Sequence, residues 1–376
     1  MIRLYKTVGQ QSMSTNFYFQ AVKLQNFRSF GELTIPKLKR INIFGGFNGV
    51  GKTALLESLF LVMDRRNPVA MIKPLLFRKF QTTAPVDPVQ FLHDEKIPHA
   101  AIEWKSAADR YRMDFDYQLK PDDIPMHVES SSLANGFGGQ FGTDSSFANR
   151  KGFHICVRRN GSLEPIERSF CIAAPAGMTG VMHKVDSTHV PFGEYVSTST
   201  RAETKQLAQM ISTLLKSGRL KGVVEYMRFL HADLDTFVTL QDGDEVQVYA
   251  QMSDGKMLPV QYMGDGFQNL LHTLCAIVRC ANGVVFLDEI DAAIHYSVVT
   301  EAWKIIARAA SEENCQILAT THSRECIHSA AAGVRIAGRS KDFQYIRLEK
   351  PHGSHSAICY DIDELKNAEQ FDVEIR

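Results

Sequence analysis

Gly46-Phe47-Asn48-Gly49-Val50-Gly51-Lys52-Thr53 is the stretch that decides the fold. It reads G-x-x-x-x-G-K-T. A loop of this kind follows a strand, opens a helix and wraps a triphosphate. Its glycines let successive backbone N–H groups turn inward and form a nest for phosphate oxygens. The positive end of the following helix favours the same anion. The spacing assigns Gly46, Asn48, Gly49, Gly51, Lys52, Thr53 and Ala54 to nucleotide binding. Lys52 reaches the β- and γ-phosphates, and the Thr53 hydroxyl holds Mg²⁺.

The flanks fit this reading. Arg40-Ile41-Asn42-Ile43-Phe44 is short, apolar and β-branched, which predicts a buried strand. Ala54 to Met63 predicts a mostly buried helix. Farther along, Val284-Val285-Phe286-Leu287-Asp288-Glu289 is an apolar run ending in two acids. A buried strand of this type delivers carboxylates to a crevice at the sheet's C-terminal edge. Asp288 is placed to hold Mg²⁺ opposite Thr53, and Glu289 to orient or deprotonate the attacking water. Gln316-Ile317-Leu318-Ala319-Thr320-Thr321-His322-Ser323 is another apolar strand, ending in Thr-His-Ser. His322 there can donate a hydrogen bond to the γ-phosphate.

Tyr262-Met263-Gly264-Asp265-Gly266-Phe267 precedes the acidic strand and opens an apolar helix over Phe267 to Val278. Gly264, Asp265 and Gly266 make a second anion-ready helix start. One set of phosphates enclosed by Gly46–Thr53 leaves this second start to act in trans, across a dimer.

Composition bounds the class. The chain has 376 residues, 44% hydrophobic and 22% charged, as expected of a globular protein. Lys+Arg and Asp+Glu are 42 each, so net charge favours no polyanionic partner. Basic residues at Lys37, Lys39, Arg40, Arg158 and Arg159 leave nucleic acid open as a partner. Seven cysteines without a C-x-x-C point to reduced thiols and a cytoplasmic location, with Cys275 and Cys280 in a core helix. No apolar run reaches the roughly 20 residues needed to cross a bilayer, and no secretory h-region opens the chain.

Along the chain, residues 1–17 read as a loose tail. Residues 18–99 read as an N-terminal lobe with two short strands before the phosphate loop. Ala100–Trp104 and Tyr111–Leu119 read as paired strands, and Phe153–Arg158 and Ile166–Ile172 as further ones. Residues 130–152 are rich in Gly, Ser and Asn and read as a surface loop. Arg201–Leu220 and Val223–Leu230 read as helices, and Phe237–Leu240 with Val246–Ala250 as a hairpin. The expected organisation is an insertion over 100–260, β-rich and then helical, followed by a C-terminal lobe over 261–376.

Taken together, the motifs resemble the ABC type of ATPase. More narrowly, they resemble the stand-alone ATPases related to the OLD (overcoming lysogenisation defect) proteins, with SMC and RecF ATPases as distant relatives. The resemblance rests on Lys23-Leu24-Gln25-Asn26-Phe27-Arg28-Ser29-Phe30, on the phosphate loop, and on the span from Met263 to Ser323. It implies an α/β fold of the P-loop NTPase class, a mixed β-sheet flanked by helices, with an insertion between the phosphate loop and the Gly264–Gly266 signature. It implies ATP and Mg²⁺ as ligands and a homodimer or higher homo-oligomer. It also implies a separately encoded effector, a nuclease, in bacterial defence against phage, because residues 324–376 are too few for the Toprim domain of fused OLD proteins.

Gly264 stands where the ABC signature has Ser, and Ala292-Ala293 where the family has Asn-Gly. A glutamine on Mg²⁺ is expected after the phosphate loop, with Gln81 and Gln90 both candidates. The rival readings are a DNA-binding repair ATPase and a slow-turnover, ATP-bound scaffold.

Overall fold

The computed structural model describes residues 17–67, 91–107, 109–117, 152–174, 177–185, 189–197, 204–243, 245–290 and 299–370. The Gly/Ser-rich stretch up to residue 151, both glutamine candidates Gln81 and Gln90, and the Ala292–His295 stretch lie outside them.

The chain opens with β1 (Ala21–Phe27) and β2 (Phe30–Ile35), an antiparallel pair. Then come β3 (Ile41–Gly45) and α1 (Lys52–Asp64). Strands β4 (His99–Ser106), β5 (Asp109–Tyr117), β6 (Gly152–Arg159), β7 (Glu167–Ala174) and β8 (Gly177–Val185) follow as an antiparallel meander. β4 pairs with β1, Ala21 opposite Lys105. One seven-stranded sheet results, in the order β2-β1-β4-β5-β6-β7-β8. The boundary expected at residue 100 therefore falls inside a continuous sheet. Local patterns reveal the hairpins but not the long-range β1–β4 pairing that joins them.

β9 (Gly193–Ser197) leads to α2 (Thr204–Lys216) and α3 (Leu220–Met227). Both helices expected here, over Arg201–Leu220 and Val223–Leu230, are present, with the break between them earlier than the sequence placed it. Gly218, in the left-handed region at φ +70°, ends the first helix, with Arg219 N–H donating back to the Leu214 carbonyl at 2.9 Å. Next are β10 (Leu234–Asp242), β11 (Glu245–Met252) and β12 (Met257–Pro259), a small antiparallel sheet. The rest is α4 (Asp265–Arg279), β13 (Val284–Asp288), α5 (Val299–Glu312), β14 (Gln316–Thr320), α6 (Arg324–Ile336), β15 (Phe343–Glu349), β16 (Ser356–Tyr360) and α7 (Ile362–Gln370).

The central sheet has the order β16-β15-β3-β14-β13-β9. Its inner strands run parallel, and only edge strand β16 is antiparallel. Every residue of β3, β13 and β14 is buried, as a parallel sheet covered on both faces requires. Alternate residues feed two cores. Ile41, Ile43, Val285, Leu287, Ile317 and Ala319 face the helical layer of α2 to α6. Phe44, Val284, Phe286, Leu318 and Ile346 face α1 and, beyond it, the seven-stranded sheet.

Helix α1 thus lies between two sheets, which is why its sequence shows no polar face. It buries Leu55, Leu56, Leu59, Phe60, Leu61 and Val62, each contributing about 1.5–3 kcal/mol. Its one buried carboxylate, Glu57, is paired with Arg28 from the β1–β2 turn. At its far end Arg65 and Arg66 both donate to Glu167 on β7, each with a contact of 2.7 Å. These pairs fasten the helix that carries the phosphate loop to the outer sheet.

Candidate functional site

The loop leaves β3 through Gly46, Gly49 and Gly51 at φ +129°, +78° and +99°, all unfavourable for L side chains. Two of these glycines are also fixed by space. A Cβ on Gly46 would lie 2.4 Å from the Leu348 carbonyl oxygen, and one on Gly51 would lie 2.8 Å from the Phe30 ring. The crest Phe47-Asn48-Gly49 is exposed, whereas Lys52 and Ala54 are buried. The Lys52 ammonium donates to the carbonyls of Gly46 and Phe47, at 2.7 and 3.1 Å, so it lies folded inside the loop.

Asp288 ends β13 and is buried. Its Oδ1 accepts from the Thr53 hydroxyl at 3.2 Å and from the Thr320 hydroxyl at 2.5 Å. Its Oδ2 accepts from the Tyr195 phenol at 2.9 Å. Glu289 follows, half-buried, in the left-handed region at φ +54°. A glutamate held there stores strain, a pattern that clusters at functional sites. Its N–H donates to Thr320 Oγ1 at 2.9 Å, so Thr320 ties both acidic residues to β14.

β14 delivers His322 to the same edge. Thr321 N–H donates to the Phe44 carbonyl at 3.1 Å, and Ser323 caps α6 by accepting from Cys326 N–H. His322 between them is half-buried. In register, Thr320 lies beside Phe44, Leu287 beside Ala319, and Asp288 beside Ser197. Four parallel strands therefore end side by side. The Lys52–Thr53 loop, the Asp288–Glu289 pair and His322 all emerge at that edge, where open α/β sheets bind ligands. The chain has a P-loop α/β fold, a mixed sheet flanked by helices.

Gly264 is the N-cap of α4, at φ +90°, with no side-chain cap. Gly264 and Asp265 are exposed and Gly266 half-buried, and an added Cβ on Gly264 meets no atom within 4 Å. This helix start presents its N–H groups to solvent.

Tyr195 and Thr320 are absent from the sequence reading of the site. For Thr320 the signal was present, since it directly precedes the Thr321-His322 pair. Tyr195 has no local signal: only the parallel pairing of β9 with β13 brings it to Asp288.

Among the described residues no group of three or more His, Cys, Asp or Glu could hold a metal ion. Two hard oxygens, Thr53 Oγ1 and Asp288 Oδ1, do converge. That sparse pair fits Mg²⁺, which keeps several waters and leans on substrate phosphates rather than on a full protein cage.

Comparison with known proteins finds family models over two parts of the chain. A family model described as AAA ATPase domain matches residues 194–327, and one described as AAA domain matches residues 21–70. The first spans Asp288, Glu289 and His322, and the second spans the phosphate loop. The chain is 21% identical over 339 residues to the ATP/GTP phosphatase of Helicobacter pylori, covering 87% of this chain and 90% of that protein. A shorter stretch of 51 residues, 14% of each chain, is 45% identical to the DNA replication and repair protein RecF of Clostridium kluyveri. Among solved structures, an SMC head bound to the C-winged helix domain of ScpA aligns with a TM-score of 0.47 at 12% identity, covering 93% of this chain and 99% of that one. The SMC head domain from Thermotoga maritima aligns with a TM-score of 0.45 at 10% identity, covering 92% and 100%. No described helix is long and apolar enough to cross a membrane.

Proposed function

We propose that this chain binds ATP with Mg²⁺ at the Gly46–Thr53 loop, hydrolyses it, and dimerises around it. The observation that carries the reading is the convergence of Thr53 and Asp288, with Glu289 and His322 emerging beside them. Lys52 leaves its two carbonyls to meet the β- and γ-phosphates. Thr53 and Asp288 are the residues that would hold the cation, which when bound neutralises phosphate charge. Glu289 orients the attacking water and takes its proton, and His322 donates to the γ-phosphate. The solvent-facing start of α4, Gly264–Gly266, meets the nucleotide held by a second copy. Phosphoryl transfer of this kind needs mainly positioning and charge stabilisation.

The dimer controls a separately encoded effector, a nuclease, and the protein acts in the cytoplasm in defence against phage. That part of the reading is supported by the resemblance to the OLD-related ATPases alone. Phosphate release from ATP tests the enzymatic core. Wild-type protein is expected to turn over slowly and Asp288→Asn not at all. Equal release by both would remove the site.

The local identity to RecF favours a second reading, in which DNA is the main ligand. The basic residues that left it open are largely engaged within the fold. Arg40 pairs with Asp342, Lys39 donates to the Phe343 carbonyl at 2.8 Å, and Arg158 pairs with Asp114 at 2.6 Å. A binding constant that falls steeply with salt would establish the DNA reading. Absence of DNA binding at low salt would remove it.

A further inference from the structure

The oxygen of Asp288 that Thr53 does not touch has a partner of its own. Tyr195 donates its phenol O–H to Asp288 Oδ2 at 2.9 Å in a buried setting. Its ring is locked in place. It stacks on Phe286 with centroids 6.3 Å apart and planes 15° apart, and it meets Phe60 edge-on at 5.5 Å. Phe286 belongs to β13, which carries Asp288, and Phe60 to α1, which carries Lys52 and Thr53. One side chain therefore touches both halves of the site and the carboxylate between them.

The Thr53, Thr320 and Tyr195 donors are all neutral hydroxyls. Being uncharged, they fix the direction of the carboxylate without themselves neutralising it. The phenol is hydrogen-bonded to a charged acceptor, the stronger class of such bonds. Holding Oδ2 from the β9 side prevents rotation about the Cβ–Cγ bond and keeps Oδ1 turned toward Thr53.

We propose that Tyr195 is a positioning residue for the metal-holding carboxylate, setting the Mg²⁺ requirement of nucleotide binding through the orientation of Asp288. This rests on the reading of Asp288 as the residue that holds Mg²⁺. Groups that orient a ligand in this way typically change metal affinity by about 10- to 100-fold.

Tyr195→Phe removes only the hydroxyl and keeps the ring against Phe60 and Phe286. Binding of a fluorescent, non-hydrolysable ATP analogue to the full chain is measured in EDTA and across a Mg²⁺ titration. The expected result is unchanged binding in EDTA, a Mg²⁺ half-saturation raised by about 10-fold or more, and full recovery at excess Mg²⁺. Unchanged half-saturation would overturn the proposal. So would an equal loss in EDTA and in Mg²⁺, which would mark Tyr195 as a packing group. Asp288→Asn in the same assay separates the two levels. If wild-type binding ignores Mg²⁺, or Asp288→Asn leaves its Mg²⁺ dependence intact, the metal reading of Asp288 fails and this inference fails with it. If Asp288→Asn abolishes the dependence and Tyr195→Phe does not shift it, only the inference fails.

Discussion

The hydroxyl of Thr53 donates to Asp288 Oδ1 at 3.2 Å, although the two residues are 235 positions apart in sequence. Thr53 sits in the first turn of α1 and Asp288 at the end of β13. Two strands separated by β14 in the sheet thus deliver a hydroxyl and a carboxylate to one point.

Lys52 is the residue whose loss should cost most in binding. Its ammonium already occupies the loop, held by the Gly46 and Phe47 carbonyls. Charge-assisted hydrogen bonds contribute about 1.5–3 kcal/mol each, so losing one to each of the β- and γ-phosphates weakens ATP binding by on the order of 100-fold or more. Calorimetric titration of Lys52→Ala checks this. A variant that binds ATP as wild type does would show that the loop's backbone alone suffices.

Glu289→Gln should separate binding from turnover. The substitution keeps size and hydrogen-bonding capacity but removes the base. ATP binding is expected to persist while single-turnover hydrolysis falls by about 10²- to 10⁴-fold, the usual worth of a positioned general base. Hydrolysis within the wild-type range would assign the base elsewhere.

Gly51→Ala is expected to destabilise the fold more than Gly49→Ala. Both positions have positive φ, so alanine costs about 1–2 kcal/mol at each from backbone strain. At Gly51 the new methyl would also sit 2.8 Å from the Phe30 ring, whereas at Gly49 it meets nothing within 4 Å. Chemical denaturation of the two variants gives the order directly, and the reverse order would contradict the packing described for the loop.

How much of this was legible in the sequence depends on how local each signal is. The Gly46–Thr53 loop, the acidic end of Val284–Glu289 and the Thr320–Ser323 turn are contiguous, and their spacing already states their chemistry. The hairpins around β4–β5 and β10–β11 were readable for the same reason. The seven-stranded sheet was not, because the Ala21–Lys105 pairing joins strands with the whole phosphate loop between them. Tyr195 was hidden likewise: nothing near Gly193–Ser197 announces that it will lie beside β13. Burial of Cys275 and Cys280 followed from helical periodicity, and both are free and buried, with their thiols shifted upward by desolvation.

Acid should weaken the fold through His272. It is buried on α4, and among the described residues its Nε2 has no hydrogen-bond partner. Burial, with Arg279 adding to it, lowers its pKa from 6.5 to about 4. The unfolded chain takes up a proton below pH 6.5 while the folded chain does not until about pH 4. The stabilising contribution is therefore complete above pH 6.5 and is lost as pH falls toward 4, by about 3 kcal/mol in total. Unfolding titrations at pH 7 and pH 4.5 should show a smaller loss for His272→Leu than for wild type. Equal losses would mean that His272 does not carry the effect.

In the proposed dimer, ATP joins two copies of this chain, the loop of one to the start of α4 in the other. Mass in solution tests it most directly, measured without nucleotide, with ATP, and with ATP on Glu289→Gln. Mass is expected to double when ATP is trapped on Glu289→Gln, and wild type to return to the smaller species as it hydrolyses ATP. A mass that is the same in all three conditions would contradict it, and a large assembly present without nucleotide and unchanged by ATP would make the protein a scaffold rather than an ATP-gated clamp.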